Sequence, residues 1–212
     1  MKKYISLFSV IIIILTMCGA IPAHASAPYD GFPFVCENFE DGNKENVIIS
    51  EGTGKIMTVA PGAGESGFAL RHIITESGGE LNFSLDSQSF APGQYLRAQA
   101  WIRLKNEIID KTVTFMLCGV TTDGEEASFD LAISPELAVD EWVHVSASGF
   151  WNGVFTNGEK CDRTQPMYLK VRIGTGAPAE DAADGGTITY DIDDIVFEPD
   201  ASPAAETEGT NI

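Results

Sequence analysis

The stretch GGTITYDIDDIVF, residues 185–197, decides how this chain reads. Two glycines open it, and Thr187, Ile188, Thr189 and Tyr190 supply the β-branched and aromatic side chains that suit a pleated strand. Alternation then fails. Ile192 and Ile195 stand three apart around Asp193-Asp194, so both reach one core only if the strand carries an extra residue, most simply a β-bulge. The bulge turns one carboxylate inward. There it must be paired, hydrogen-bonded or metal-bound, because an isolated buried charge is too costly to keep ionised.

Outward from this stretch, ten further strands are expected, over residues 35–40, 47–50, 55–60, 67–74, 80–85, 94–105, 112–120, 127–133, 141–150 and 166–173. Turn-forming Gly, Pro, Asn and Asp separate them. In the 94–105 segment Leu96, Ala98, Ala100, Ile102 and Leu104 make one apolar face, and Tyr95, Arg97, Gln99, Trp101 and Arg103 the other. In 166–173, Met167, Leu169, Val171 and Ile173 point in while Tyr168, Lys170 and Arg172 point out. No helical period persists. The fold class is therefore all-β, a two-sheet antiparallel β-sandwich.

Length and charge narrow the function. At 212 residues the chain supports one domain, and 13 Lys+Arg against 31 Asp+Glu give a net charge of −18. That charge disfavours nucleic acid and anionic membranes as partners and leaves neutral ligands and divalent cations open. Residues 1–25 read as a signal peptide, with Lys2 and Lys3, an apolar run from Leu7 to Met17, and Ala23-His24-Ala25 as the cleavage site. Met17 is too large for a lipid-attachment box at Cys18, so soluble export is expected, with a secreted domain over 26–198 and a flexible tail or linker stub over 199–212. Cys36, Cys118 and Cys161 then remain, an odd count that permits at most one internal disulfide.

Four motifs in order carry a family resemblance: NFEDG at 38–42, SGFAL at 66–70, the Tyr95–Leu104 run with Trp101-Ile102-Arg103-Leu104, and Glu141-Trp142 followed by YDIDDI at 190–195. The chain resembles the secreted carbohydrate-binding modules of families 4, 9 and 22, which are jelly-roll, galactose-binding-like sandwiches. The resemblance spans residues 34–198. It implies a non-catalytic module that binds polysaccharide of β-glucan or xylan type and carries a structural calcium. Through the same resemblance, Glu40 and Asp194 are the residues expected to hold the ion, with main-chain carbonyls completing an all-oxygen shell that suits a hard cation. Hydrogen bonding of the Asp193-Asp194 pair at the bulge is the alternative.

Sugar rings need flat apolar surfaces flanked by planar hydrogen-bonding groups. Tyr95, Arg97, Gln99, Trp101 and Arg103, with Tyr168 from another strand, have that composition and would form one platform if the two strands share a sheet. Packing into a core is the competing role for Trp101. Trp151, beside Asn152-Gly153, is a further candidate on a loop, while Trp142 reads as structural. A sandwich glycoside hydrolase is the alternative function: a retaining enzyme needs two carboxyl groups about 5 Å apart, and Asp191 and Asp193 stand on one strand. His72 and His144 lack an evident nucleophile partner. A structural or adhesive extracellular protein is the third reading, and a larger carbohydrate-active enzyme or a cell surface is the expected partner beyond polysaccharide.

Overall fold

A computed structural model describes residues 33–200 apart from 45–46, 50–53, 66, 77–79, 87–90, 134–135 and 183–185. The expected signal peptide and the tail beyond residue 200 lie outside the described residues.

Eleven strands form in chain order: β1 (Val35–Glu37), β2 (Val47–Ile49), β3 (Gly54–Val59), β4 (Ala69–Ile74), β5 (Leu81–Leu85), β6 (Gln94–Leu104), β7 (Val113–Val120), β8 (Glu126–Ile133), β9 (Val143–Trp151), β10 (Met167–Ile173) and β11 (Ile188–Pro199). One sheet has the order β3-β4-β11-β6-β9, with β1 also on β11; the other has β2-β5-β10-β7-β8. The pairs are antiparallel. Among the described residues, helix is confined to a 3-10 turn at Ala63–Glu65 and one α turn, α1 (Pro178–Asp181), with proline in its first turn, where no amide donor is needed.

The strands form because apolar residues recur every second position, and the two sheets bury those faces against each other. Leu96, Ala98, Ala100, Ile102 and Leu104 of β6 meet the core together with Leu169, Val171 and Ile173 of β10, all with no accessible surface. The expected bulge is present: β11 pairs Asp193 with Trp101 and then Val196 with Gln99, so three residue steps on β11 match two on β6. Asp194 is the residue with positive φ there, at 48°. Ile192 and Ile195 accordingly both reach the core with no accessible surface. On the other edge of β11 the neighbour changes at the same place, from β4 up to Ile192 to β1 from Ile195 onward.

His72 faces the interior from β4. Its Nδ1 lies 3.1 Å from the Tyr190 hydroxyl and its Nε2 has no partner. Gly54 makes room for the ring, because a Cβ there would stand 2.7 Å from His72 Nε2. Burial pushes the His72 pKa down to about 4. Above pH ~6.5 the ring is neutral in folded and unfolded chains alike. As pH falls from there toward about 4, only the unfolded chain takes up the proton, so stability falls. The expected loss is about 3 kcal/mol over that interval. Urea denaturation of wild type and His72→Phe between pH 4 and 7 checks it: the variant should lose this dependence, and parallel curves would contradict the assignment.

Candidate functional site

The bulge sets two carboxylates on the outer face of the first sheet, and both have no accessible surface. Asp191 is gripped by two guanidiniums: Arg71 reaches its two oxygens at 2.7 and 3.1 Å, and Arg103 approaches Oδ2 at 2.8 and 3.2 Å. The Trp142 ring covers Arg103 at 4.5 Å. Asp193 has no such partner. Its oxygens accept main-chain N–H bonds from Ala63 at 2.8 Å and from Asp194 at 2.9 Å. Burial raises its pKa to about 7 against those two bonds, with the Asp194 and Glu40 charges adding to the rise.

The buried member of the pair is thus Asp193, which faces outward beneath the segment at Ala63, whereas Asp194 is exposed. The inward-turned carboxylate expected from the bulge is corrected accordingly: the core side is taken by the two isoleucines. Partial desolvation and the Glu40 charge raise the Asp194 carboxyl as well. Glu40 Oε2 accepts the Gly67 amide at 3.0 Å, and a Cβ at Gly67 would fall 2.2 Å from that oxygen. Three carboxylates therefore share one neighbourhood with oxygen-only chemistry, the donor type a hard cation prefers. Among the described residues no group of three or more His, Cys, Asp or Glu side chains is ready-made for a metal. Glu40 and the aspartates would need main-chain or solvent oxygens to complete a shell.

The expected platform divides. Trp101 lies on β6 in the first sheet and Tyr168 on β10 in the second, so their outward faces are on opposite sides of the sandwich. On the first sheet Trp101 is half-buried against His144, with ring centroids 5.0 Å apart. Gln99 is buried, Arg97 is paired with Glu198, and Arg103 is committed to Asp191. Tyr95 is exposed and packs beside Phe150 at 5.1 Å. The hydrogen-bonding groups of this face are largely spent on one another.

Trp151 is not on an accessible loop. It continues the inward set of β9 and is fully buried, with ring contacts to Phe129 and Phe155 at 5.3 and 5.6 Å. The parity of Val145, Ala147 and Gly149 carries that signal in the sequence.

The outer face of the second sheet is different. Met116 and Cys118 point away from the core yet are buried, each opposite an outward residue of β10: Met116 faces Lys170 and Cys118 faces Tyr168. They form an apolar floor on which Tyr168 lies half-buried, with the Lys170 ammonium 5.8 Å from the Tyr168 ring. Burial pushes the Tyr168 phenol up to about 12, which keeps it a hydrogen-bond donor. Lys170 faces Glu80 at 3.8 Å. Asn82 of β5, which sequence alternation assigned only to a polar face, stands opposite Lys170 on this surface. Of the described cysteines, Cys118 is a buried and Cys161 a half-buried free thiol, and Cys36 is exposed.

The fold is a two-sheet antiparallel β-sandwich of the kind seen in solved carbohydrate-binding modules. The chain resembles the CBM22-1 xylan-binding domain from Paenibacillus barcinonensis Xyn10C, with TM-score 0.61 and 14% identity over 82% of this chain and 97% of that one. The CBM22-2 xylan-binding domain of the same protein gives TM-score 0.58 and 17% identity, covering 79% and 99% of the two chains. A two-module structure, the CBM22-1 and GH10 modules of Clostridium thermocellum Xyn10B complexed with xylohexaose, gives TM-score 0.57 and 13% identity over 80% of this chain and 29% of that one. No protein-family model and no curated protein matches the sequence.

The Arg71–Asp191–Arg103 cluster generates a stability test. Removing the buried carboxylate leaves two partly buried guanidiniums facing each other, and breaking such a pair costs about 3–5 kcal/mol. Asp191→Ala should shift the urea midpoint accordingly, while Glu198→Ala, at the half-exposed Arg97 pair, should cost about 1 kcal/mol or less.

Proposed function

We propose that the protein is a secreted, non-catalytic module that binds polysaccharide of β-glucan or xylan type on the outer face of its second sheet and is steadied by calcium near Glu40 and Asp194. The single observation that carries the choice of face is the buried pair Met116 and Cys118 beside Tyr168, a half-buried aromatic ring on an apolar stretch of outer sheet surface. A sugar ring offers an apolar face to such a side chain and hydroxyls to the polar groups around it. The structural neighbours support the class, since their names describe xylan-binding domains, one of them beside a GH10 module. A polysaccharide anchored near a carbohydrate-active enzyme or a cell surface is the setting this reading favours. The net charge of −18 argues against nucleic acid.

The non-catalytic reading is supported by the engagement of the Asp191 and Asp193 carboxyl pair. Asp191 is tied to two arginines, and both it and Asp193 have no accessible surface, so neither stands where a glycosidic bond could meet it. The calcium reading rests on mutual repulsion among Glu40, Asp193 and Asp194, which a divalent cation would reverse. Asp193 joins the expected ligands Glu40 and Asp194 as a member of that neighbourhood.

Two measurements test these statements. In affinity electrophoresis through soluble xylan and β-glucan, Tyr168→Ala should lose most of the retardation, whereas Trp101→Ala should keep it; the reverse pattern would move the site to the first sheet. Calcium at roughly a hundredfold above its Kd should add about 2.7 kcal/mol of stability. The melting temperature should therefore fall in chelator for wild type and be insensitive to chelator in a Glu40→Gln, Asp194→Asn double variant. Equal melting of the wild type in calcium and in chelator would refute the cation.

A further inference from the structure

We infer that Asn152-Gly153 is a site of spontaneous covalent modification, at which the protein converts its own asparagine to aspartate and isoaspartate with water as the co-reactant. Four Asn-Gly or Asp-Gly pairs stand among the described residues, at 41–42, 123–124, 152–153 and 157–158. The four glycines share positive φ, between 70° and 89°. Their amides differ. Gly42 N–H donates to the Phe39 carbonyl at 2.8 Å, Gly124 N–H to Thr121 at 2.9 Å and Gly158 N–H to Phe155 at 2.9 Å, each closing a turn. Among the described residues no hydrogen bond engages the Gly153 amide, and Asn152 is exposed.

A main-chain nitrogen attacks Cγ of the residue before it only after losing its proton and turning toward that carbon, and a turn bond to a carbonyl opposes both steps. Gly153 N is free of that restraint. Asn152 Oδ1 meanwhile accepts the Val154 N–H at 2.9 Å, which folds the carboxamide back over the glycine and sets a donor on the oxygen where negative charge gathers as the new bond forms. Gly153 N bonds to Cγ, the Cγ–Nδ2 bond breaks, and the amide proton passes through solvent to the departing ammonia. Water then opens the succinimide. Cleavage of its Cγ–N bond gives aspartate, whereas cleavage at the main-chain carbonyl carbon leaves the peptide running through Cγ, an isoaspartate with one more methylene in the main chain. The turn holds this labile dipeptide in place, because a side chain at position 153 would be strained at φ +86° and its Cβ would stand 3.0 Å from Pro92 Cγ. The added methylene falls between two fixed points. Trp151 is fully buried and its carbonyl accepts the Gly93 N–H at 2.7 Å, while the Gly153 carbonyl accepts the Cys161 N–H at 3.0 Å.

The test is peptide mapping by mass spectrometry of the full chain held in mildly alkaline buffer, native and in guanidinium, reading the replacement of side-chain NH2 by OH at each asparagine. In the native protein Asn152 should convert about tenfold faster than Asn157, because a turn bond must break before the Gly158 nitrogen can attack. In guanidinium, where the turns are gone, the two should convert at similar rates. Equal rates in the native protein, faster conversion at Asn157, or no conversion at Asn152 would overturn the assignment. The isoaspartate product, separated by chromatography, should melt below both the unmodified protein and Asn152→Asp, whose carboxylate still accepts the Val154 N–H over a main chain of normal length. An isoaspartate form that melts like Asn152→Asp would overturn the effect assigned to the added methylene.

Discussion

Everything in the first sheet turns on one extra residue in β11. Two isoleucines three apart can share a core only if the strand gains a residue between them, and the left-handed backbone at Asp194 supplies it. The same step changes the neighbour on one edge from β4 to β1 and opens the place where the Ala63 amide reaches Asp193. Hydrophobic burial demands the irregularity. The polar arrangement around it, with Asp191 clamped between arginines and Asp193 capped by amides, follows from where the irregularity leaves the carboxylates.

The two outer faces of the sandwich then diverge in chemistry. On the first sheet, the two arginines of β6 each meet a carboxylate, Arg97 with Glu198 and Arg103 with Asp191, while Trp101 packs on His144. On the second, sulfur-bearing side chains lie buried beneath a tyrosine, and an amide oxygen and a guanidinium nitrogen remain without partners. A satisfied surface has little enthalpy left to gain from a ligand.

Alternation made the eleven strands legible, and the broken alternation in DIDDI made the bulge legible, since both are consequences of a period of two along one strand. Partnership between strands was not. Tyr168 and Trp101 each point outward as their own strands dictate, but membership of one sheet or the other depends on pairings between distant segments that no local pattern encodes. Likewise the sequence around Asp193-Asp194 announces that one carboxylate is special without saying which, because the choice depends on where the segment at Ala63 comes to rest. Trp151 was legible in principle, for the inward parity of Val145, Ala147 and Gly149 runs straight into it. Asn82 was visible only as a polar position, and its burial appears once β5 is laid between β2 and β10.

The pairing of β1 with the end of β11 has a mechanical consequence. Val35 lies opposite Phe197, and the Phe34 amide donates to the Phe197 carbonyl at 2.7 Å, so the described chain enters and leaves the sandwich side by side. Tension applied at those two points loads the outermost of these bonds first and the others in turn, like a zipper pulled from its open end, instead of shearing them together. The first strand is therefore a breakaway element: a load between the flanking segments would peel three residues from the sheet edge before reaching the clamped carboxylate of Asp191, leaving the second sheet untouched.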